Sequence, residues 1–295
     1  MKKKKQEKQK AGNVVLIGRP NAGKSTLINS IVQQKVAITS PKPQTTRKVI
    51  KAAYQDERGQ IIFWDMPGVL KKNVDLVSKK TSAVPGKNLD NADLLLYIID
   101  KTRERGDEEN VALGIIRKID KPKIMVMNKI DKPGKDFSYQ YDFLKDEFDE
   151  FLEISALKST HLKTLLEKIF SYLPEKKEDL FSQKQLMENK ILNQTSSEFI
   201  SELIREKIFL TLRHELPYST HVVVENMEEK NGVFHIKANI LTNTERYKRM
   251  IIGRKAETVK TIGIKARKEI ELFTDKKIFL RLNVITDPHW PEKYL

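Results

Sequence analysis

The chain has 295 residues, 39% hydrophobic and 32% charged, which is enough for about two packed domains and excludes low-complexity or collagen-like classes. No stretch approaches the ~18 consecutive apolar residues of a membrane-spanning helix, and the absence of cysteine excludes disulfides and thiolate metal sites, as fits a reducing cytoplasm. A formal net charge of +15 favours a polyanionic partner, either nucleic acid or an anionic membrane surface.

The N-terminal residues 1–10 carry Lys2, Lys3, Lys4, Lys5, Lys8 and Lys10 against Glu7 alone. They lack the apolar core of a secretory signal and any hydrophobic period, so they read as a disordered, solubilising tail with weak attraction for anionic lipid. Stable anchoring at the inner face of a membrane needs a second signal, and the sequence offers none.

Residues 11–173 alternate strand and helix, which implies an α/β domain with a mostly parallel sheet. Strands are expected at 13–17, 48–54, 60–65, 93–99, 123–127 and 151–154, and helices at 24–33, 73–82, 107–119, 137–148 and 160–172. Between the first of these, Gly18-Arg19-Pro20-Asn21-Ala22-Gly23-Lys24-Ser25 is a complete G-x-x-x-x-G-K-[ST] phosphate loop after the apolar run Val14-Val15-Leu16-Ile17, with Thr26 next in the helix. Gly18 and Gly23 let backbone N–H groups curl around phosphates, Lys24 reaches the β- and γ-phosphates, and the Ser25 hydroxyl binds Mg²⁺. Residues 35–47 read as an exposed loop. Asp65-Met66-Pro67-Gly68 ends an apolar strand. Asp65 is placed to hold the Mg²⁺ shell and the Gly68 N–H to touch a γ-phosphate. After the strand 123–127 comes Asn128-Lys129-Ile130-Asp131. The Asp131 carboxylate accepts from N1–H and N2–H₂ of guanine, a pattern adenine lacks, which argues for GTP over ATP. Ser155-Ala156 then offers a backbone N–H to guanine O6. Four such elements in register over about 140 residues exclude a chance match.

Residues 174–194 are polar and read as a linker. A second unit, 195–295, begins with the capping-box pattern Thr195…Glu198 and an apolar helical face through Leu212, stopped by Pro217. Strands near 219–227 and 232–241 flank the turn Asn231-Gly232. A short segment ends in Ile251-Ile252-Gly253, followed by a helix at 256–273 and a strand at 277–285, giving the order αββααβ. From Arg246 to Lys268 nine Lys or Arg stand against the single acid Glu257. Arg254 and Lys255, with Lys260 and Arg267 nearby, can neutralise backbone phosphates. Trp290, beside His289, reads as packing against the domain rather than stacking on a base.

The G-x-P-N-x-G-K-S loop with Thr45-Thr46-Arg47 resembles the branch of translation-factor-related GTPases that holds Era and the tRNA-modification enzymes. The stretch Gly253-Arg254-Lys255-Ala256 resembles the G-x-x-G loop of a KH domain, which clamps a single strand of about four nucleotides. Together they make residues 11–292 similar to the Era family: a P-loop GTPase domain followed by an α+β KH-type RNA-binding domain. The resemblance implies a GTP-hydrolysing switch that binds the single-stranded 3′ end of small-subunit ribosomal RNA and assists small-subunit maturation; a cytoplasmic location is expected, and the oligomeric state is open, with a monomer as the default. It implies a switch threonine on Mg²⁺, with Thr46 favoured and Thr45 as the alternative, and K⁺ bound near Asn21 as an additional charge on the phosphates. Val69 stands where some small GTPases carry a water-orienting Gln, which implies slow intrinsic hydrolysis. Three departures matter, the first being Ser196-Ser197-Glu198 before Phe199, where the family commonly carries an arginine. Met66 replaces the commoner threonine of switch II. Ala256 replaces the second glycine of the RNA loop, where a helix-N-terminal conformation is expected to tolerate it. The rival readings are an RNA-binding scaffold with a nearly inert G domain and a tRNA-directed GTPase of the same branch, the latter disfavoured by the KH-like C-terminus.

Overall fold

The computed structural model of the chain describes residues 9–68, 89–188 and 190–294. The tail 1–8, the helix expected at 73–82 and Val69 lie outside the described residues. Two compact units result, one of residues 1–39 and 46–193 and the other of 40–45 and 194–295.

In the first unit, β1 (Lys10–Ile17), β2 (Ile50–Asp56), β3 (Gly59–Asp65), β4 (Leu94–Asp100), β5 (Lys123–Asn128) and β6 (Glu150–Glu153) form one sheet in the order β2-β3-β1-β4-β5-β6. Only β2 runs antiparallel, hydrogen-bonded to β3 at the sheet edge. The apolar run of β4 is buried along its whole length, the pattern of a central parallel strand covered on both faces. The accompanying helices are α1 (Lys24–Val32), α2 (Asp107–Ile116), α3 (Leu162–Tyr172) and the short α4 (Gln183–Glu188).

Two expectations are corrected here. The helix anticipated at 137–148 is a run of 3₁₀ turns, Ser138–Glu147. Tyr141 and Leu144 are its buried residues, and their spacing of three suits the eclipsed i, i+3 geometry of that helix. Residues 174–193 are not a free linker but are packed on the first unit. Phe181 and Ile191 are each 4% exposed. Gln60 Nε2 donates to Phe181 O at 3.1 Å, and the Leu180 N–H donates to Gln60 Oε1 at 2.8 Å. The Ala53 N–H donates to Lys190 O and the Leu192 N–H to Lys51 O, both at 2.8 Å. This segment satisfies edge groups of β2 that would otherwise be open. Its apolar residues come as three separate pairs, Leu180-Phe181, Leu186-Met187 and Ile191-Leu192, which show neither a helical nor a strand period.

In the second unit α5 (Ser196–Thr211) precedes β7 (Thr220–Lys230), β8 (Val233–Thr242), α6 (Glu245–Ile252), α7 (Glu257–Thr274), β9 (Lys277–Thr286) and α8 (Trp290–Tyr294). The sheet order is β7-β8-β9, antiparallel then parallel. Thr195 and Glu198 form the capping box, with the Glu198 N–H donating to Thr195 Oγ1 at 3.3 Å and the Thr195 N–H to Glu198 Oε2 at 2.9 Å. Helix α5 ends at Thr211, ahead of Pro217, because Leu212 turns extended and His214 is left-handed. Buried Phe199, Leu203, Ile204 and Ile208 of α5, with Ile262, Ala266 and Ile270 of α7, supply the core beneath the sheet. Among the described residues no helix is long and apolar enough to cross a membrane.

The loop between α6 and α7 departs from expectation. Ala256 is not in a helical conformation but left-handed, with φ 61° and ψ 22°, and Lys255 before it has φ 49°. Gly253, with φ +75°, is irreplaceable for a second reason, since a Cβ there would lie 2.2 Å from Thr258 Oγ1. A Cβ in the left-handed region costs about 1 kcal/mol or more. Ala256→Gly is therefore expected to raise the stability of the second unit by about 1 kcal/mol in denaturant titration. Unchanged or lower stability would contradict this account of the loop.

Candidate nucleotide site and nucleic-acid face

The nucleotide motifs emerge at the carboxyl ends of β1, β3, β5 and β6, the edge where open parallel sheets bind ligands. The loop 18–23 leaves β1 and turns into α1 at Gly23, which has φ +102° and no room for a Cβ, since Asn128 Nδ2 would lie 2.2 Å away. Lys24 curls back over the loop, Nζ donating to Gly18 O at 3.0 Å and Arg19 O at 3.1 Å. Burial lowers its pKa, opposed by the charges of Asp65 and Glu109. A cation held in so dry a place gains most from an anionic ligand. Pro20 and Ala22 are buried, and Thr26 is half-buried in the first turn of α1.

Three oxygen-bearing side chains converge beside Lys24. Ser25 Oγ donates to Asp65 Oδ2 at 2.5 Å, lies 3.2 Å from Thr46 Oγ1, and Thr46 Oγ1 is 3.5 Å from the same carboxylate oxygen. Burial raises the Asp65 pKa against the pull of Lys24. Asp65 Oδ1 is buried and accepts no hydrogen bond. Thr45 is differently engaged: it belongs to the second unit, where its hydroxyl donates to Lys42 O at 2.9 Å and its carbonyl accepts from Arg205 Nη2 at 2.5 Å. In that unit Lys42 Nζ also donates to Leu212 O at 2.5 Å and to Phe209 O. Met66 is 1% exposed in the core cluster with Trp64 and Leu95, so its departure from threonine is used for packing. Pro67 is buried beside it and Gly68 is half-buried.

At the other end, Asn128 is a hub. Its Nδ2 donates to Ala22 O at 2.9 Å, while Oδ1 accepts the N–H of Lys129 at 2.7 Å and of Ala156 at 3.0 Å. The Ala156 amide, expected to face guanine, is thus engaged by Asn128 in this structure. Lys129 Nζ donates to Asn21 O at 2.6 Å and to Asp100 Oδ2 at 2.5 Å. Burial pulls the Asp100 pKa upward, but hydrogen bonds from Lys129 and Thr102 outweigh it and leave the carboxylate below its ordinary range. Ser155 Oγ donates to Asp131 Oδ1 at 2.5 Å, fixing the orientation of that carboxylate.

Arg19 sits in the phosphate loop with its side chain turned to other partners. Its side chain is not a phosphate ligand: Nη1 donates to Glu104 O at 3.0 Å, Nη2 to Asp100 O at 3.2 Å and Arg103 O at 3.1 Å, and Nε lies 3.0 Å from Glu109 Oε1. Only its backbone remains for a phosphate. Asp100, which holds Lys129, was missed from sequence, although an acid terminating an all-apolar strand was the signal already used for Asp65.

In the second unit Arg254 and Lys255 are exposed at the tip of the loop, with Gly253 and Ala256 half-buried beneath them. Beside them a groove of ≈ 330 Å³ is lined by Val259, Lys260, Ile264, Arg267, Leu280 and Leu282. Ile251 and Ile262 are core, at 0% exposure, whereas Ile264 is 52% exposed. Ile264 was missed. Its position off the buried stripe of α7 and at helical spacing from Lys260 and Arg267 is the signal that marks it. Trp290 is fully buried, its ring stacked on His221 at 5.5 Å and its Nε1 donating to Asn243 Oδ1, so it cannot stack on a base.

The 50S ribosome-binding GTPase family matches residues 13–129 and the KH domain family residues 215–289. GTPase Era of Halothermothrix orenii is 37% identical over 287 residues, covering 96% of this chain and 95% of its own. GTPase Era of Borreliella burgdorferi is 37% identical over 288 residues, covering 95% and 96%. Among solved structures, Aquifex aeolicus Era bound to GDP and AlF4⁻ aligns with a TM-score of 0.87 at 34% identity, covering 97% of each chain. A structure of Era with MgGDPNP and nucleotides 1506–1542 of 16S ribosomal RNA aligns with a TM-score of 0.86 at 34% identity, covering 97% of this chain and 96% of the other. With both units matched at this identity over nearly their whole length, the chain belongs to the GTPase Era family.

Proposed function

We propose that this chain is a Mg²⁺-dependent GTPase switch whose KH unit binds the single-stranded 3′ end of small-subunit ribosomal RNA and assists maturation of the small ribosomal subunit. The observation that carries the nucleotide half is the convergence of Lys24, Ser25, Thr46 and Asp65 at one sheet edge, with Asp131 held by Ser155 at the same edge. The donor set fits the metal: two hydroxyls and a carboxylate with one buried oxygen unengaged are the hard oxygen ligands Mg²⁺ takes. When bound, Mg²⁺ neutralises charge developing on the β- and γ-phosphate oxygens. Lys24 leaves the loop carbonyls for those phosphates, the Gly68 N–H meets the γ-phosphate, and Asp131 reads the guanine edge. With valine at position 69 in the sequence, no side chain follows Gly68 to orient the attacking water, so intrinsic turnover is slow. Asn21 is the residue through which K⁺ would add charge stabilisation.

The RNA half is supported by the exposed Arg254–Lys255 tip above an apolar groove edged by Lys260 and Arg267, and by the RNA bound to the related Era structure. Coupling between the halves is supported by connectivity: Thr46 sits with the metal ligands, while adjacent Thr45 is hydrogen-bonded to Arg205 in the unit that carries the RNA loop. Weak association of the basic tail with an anionic membrane surface remains compatible with this role.

Three outcomes are expected. Lys24→Ala cuts GTP turnover by about 100-fold or more, and an unchanged rate would favour the inert-scaffold reading. Turnover is faster in K⁺ than in Na⁺ at equal ionic strength, and Asn21→Ala abolishes the difference; equal rates in wild type would remove K⁺ from the mechanism. A labelled RNA matching the 3′ end of small-subunit ribosomal RNA binds more tightly with a GTP analogue than with GDP, and about tenfold more weakly in Arg254→Ala/Lys255→Ala. Equal affinity in both nucleotide states would leave RNA binding without a switch, and no preference over a scrambled RNA would remove the assigned target.

A further inference from the structure

The first helix after β4 carries a carboxylate, Glu109, that is 0% exposed and faces the phosphate loop from behind. Its Oε1 lies 3.0 Å from Arg19 Nε and its Oε2 accepts the Tyr97 hydroxyl at 2.5 Å. Burial raises its pKa, opposed by the Tyr97 hydrogen bond and the charges of Arg19 and Lys24. Arg19 spends its remaining donors on the carbonyls of Asp100, Arg103 and Glu104, and Arg103 Nη1 returns a contact to Pro20 O at 3.4 Å. The chain after β4 and the first half of the phosphate loop are therefore laced together through two guanidiniums, those of Arg19 and Arg103. Lys129 holds the loop from its other side at Asn21 O. A buried ion pair is a poor way to gain stability, since apolar residues of similar volume do as well or better. Arg19 Nε and Glu109 Oε1 are in ion-pair contact without a hydrogen bond between them, so Glu109 holds the guanidinium by charge at short range while the hydrogen bonds to the Asp100, Arg103 and Glu104 carbonyls set its direction. The guanidinium so held anchors the side chain of Arg19, whose backbone carbonyl accepts both Lys24 Nζ at 3.1 Å and the Ala22 N–H at 3.4 Å.

We propose that Glu109 is a positioning residue for nucleotide binding: through Arg19 it holds the phosphate loop in the curl that presents its N–H groups to the phosphates. The inference rests on residues 18–25 being the phosphate cradle. Its action is on binding of the phosphates common to GTP and GDP, not on the hydrolytic step, so it alters both affinities together and leaves kcat in place.

The test measures fluorescent GDP and GTP-analogue affinity, release rate, steady-state kinetics and thermal stability of the full chain. The proteins are wild type, Glu109→Gln, the double variant Arg19→Met/Glu109→Met, and Arg117→Gln, which breaks an exposed ion pair at the end of the same helix. Glu109→Gln is expected to weaken both nucleotides at least tenfold, chiefly through faster release, raising KM with kcat unchanged. The double variant, with its buried charges removed together, is expected to regain thermal stability but not affinity, a separation that a merely structural pair would not produce. Arg117→Gln is expected to match wild type. Wild-type affinity in Glu109→Gln, or recovery of affinity along with stability in the double variant, would overturn the proposal. If Glu109→Gln does not fold, the double variant alone decides. Failure of wild type itself to bind either nucleotide would instead overturn the reading of the cradle.

Discussion

A loop that binds phosphate through its backbone must aim its N–H groups outward, which leaves its carbonyls turned into the protein with no strand or helix to receive them. Here every buried carbonyl named along the loop is met by a side-chain donor. Lys24 serves Gly18 and Arg19, Arg103 serves Pro20, Lys129 serves Asn21, and Asn128 serves Ala22. The donors come from α1, from the chain after β4 and from the end of β5, so the loop is placed by three separate parts of the sheet edge. The guanine-reading motif is thus also a structural member of the phosphate site. Asn128 and Lys129 hold the loop, while Asp131, two residues beyond Lys129, is the carboxylate proposed to read the base. These hydrogen bonds tie the segment 128–131 to the loop 18–23.

The same economy governs the charges. Lys24 and Asp65 are both buried, and burial pushes the pKa of each toward its neutral form. Each offsets part of the cost for the other. In the proposed complex a polyanion with its metal would take the place of this imperfect pairing. The RNA loop follows a different logic. Its cations are exposed, so they cost little to maintain, and the strain sits in the backbone at Lys255 and Ala256. The left-handed pair lifts Arg254 and Lys255 to the tip of the turn, and the chain retains an alanine where glycine would be easier.

Much of this was legible in the sequence because the relevant signals are local. Gly, Pro and Asp punctuate the ends of apolar runs at the phosphate loop, at Asp65 and at Asn128, so the strands and the residues at their carboxyl ends could be read together. The Thr195–Glu198 capping box was legible for the same reason. What was not legible depended on contacts distant in sequence or on geometry finer than a period. Phe181 and Ile191 anchor residues 174–193 to β2 and β3, but apolar residues that come as separate pairs, Leu180-Phe181, Leu186-Met187 and Ile191-Leu192, among polar ones carry no helical or strand period. Residues 138–147 have apolar spacing that fits an α-helix and a 3₁₀ turn about equally. The φ of Ala256 cannot be deduced from its identity, because alanine ordinarily avoids it. The partner of the Arg19 side chain, Glu109, lies ninety residues away and carries no local signal.

The central claim is that the edge formed by 18–25, 65–68, 128–131 and 155–156 recognises GTP as a whole, with the base read by a single carboxylate. Binding of GTP and xanthosine triphosphate to Asp131→Asn tests it most directly. An amide there loses one acceptor for the guanine N1–H and N2–H₂ pair and gains a donor for the xanthine 2-oxo group. The account predicts that GTP affinity falls by at least about 100-fold while xanthosine triphosphate becomes the preferred ligand. Undiminished GTP binding in the variant would show that Asp131 does not read the base.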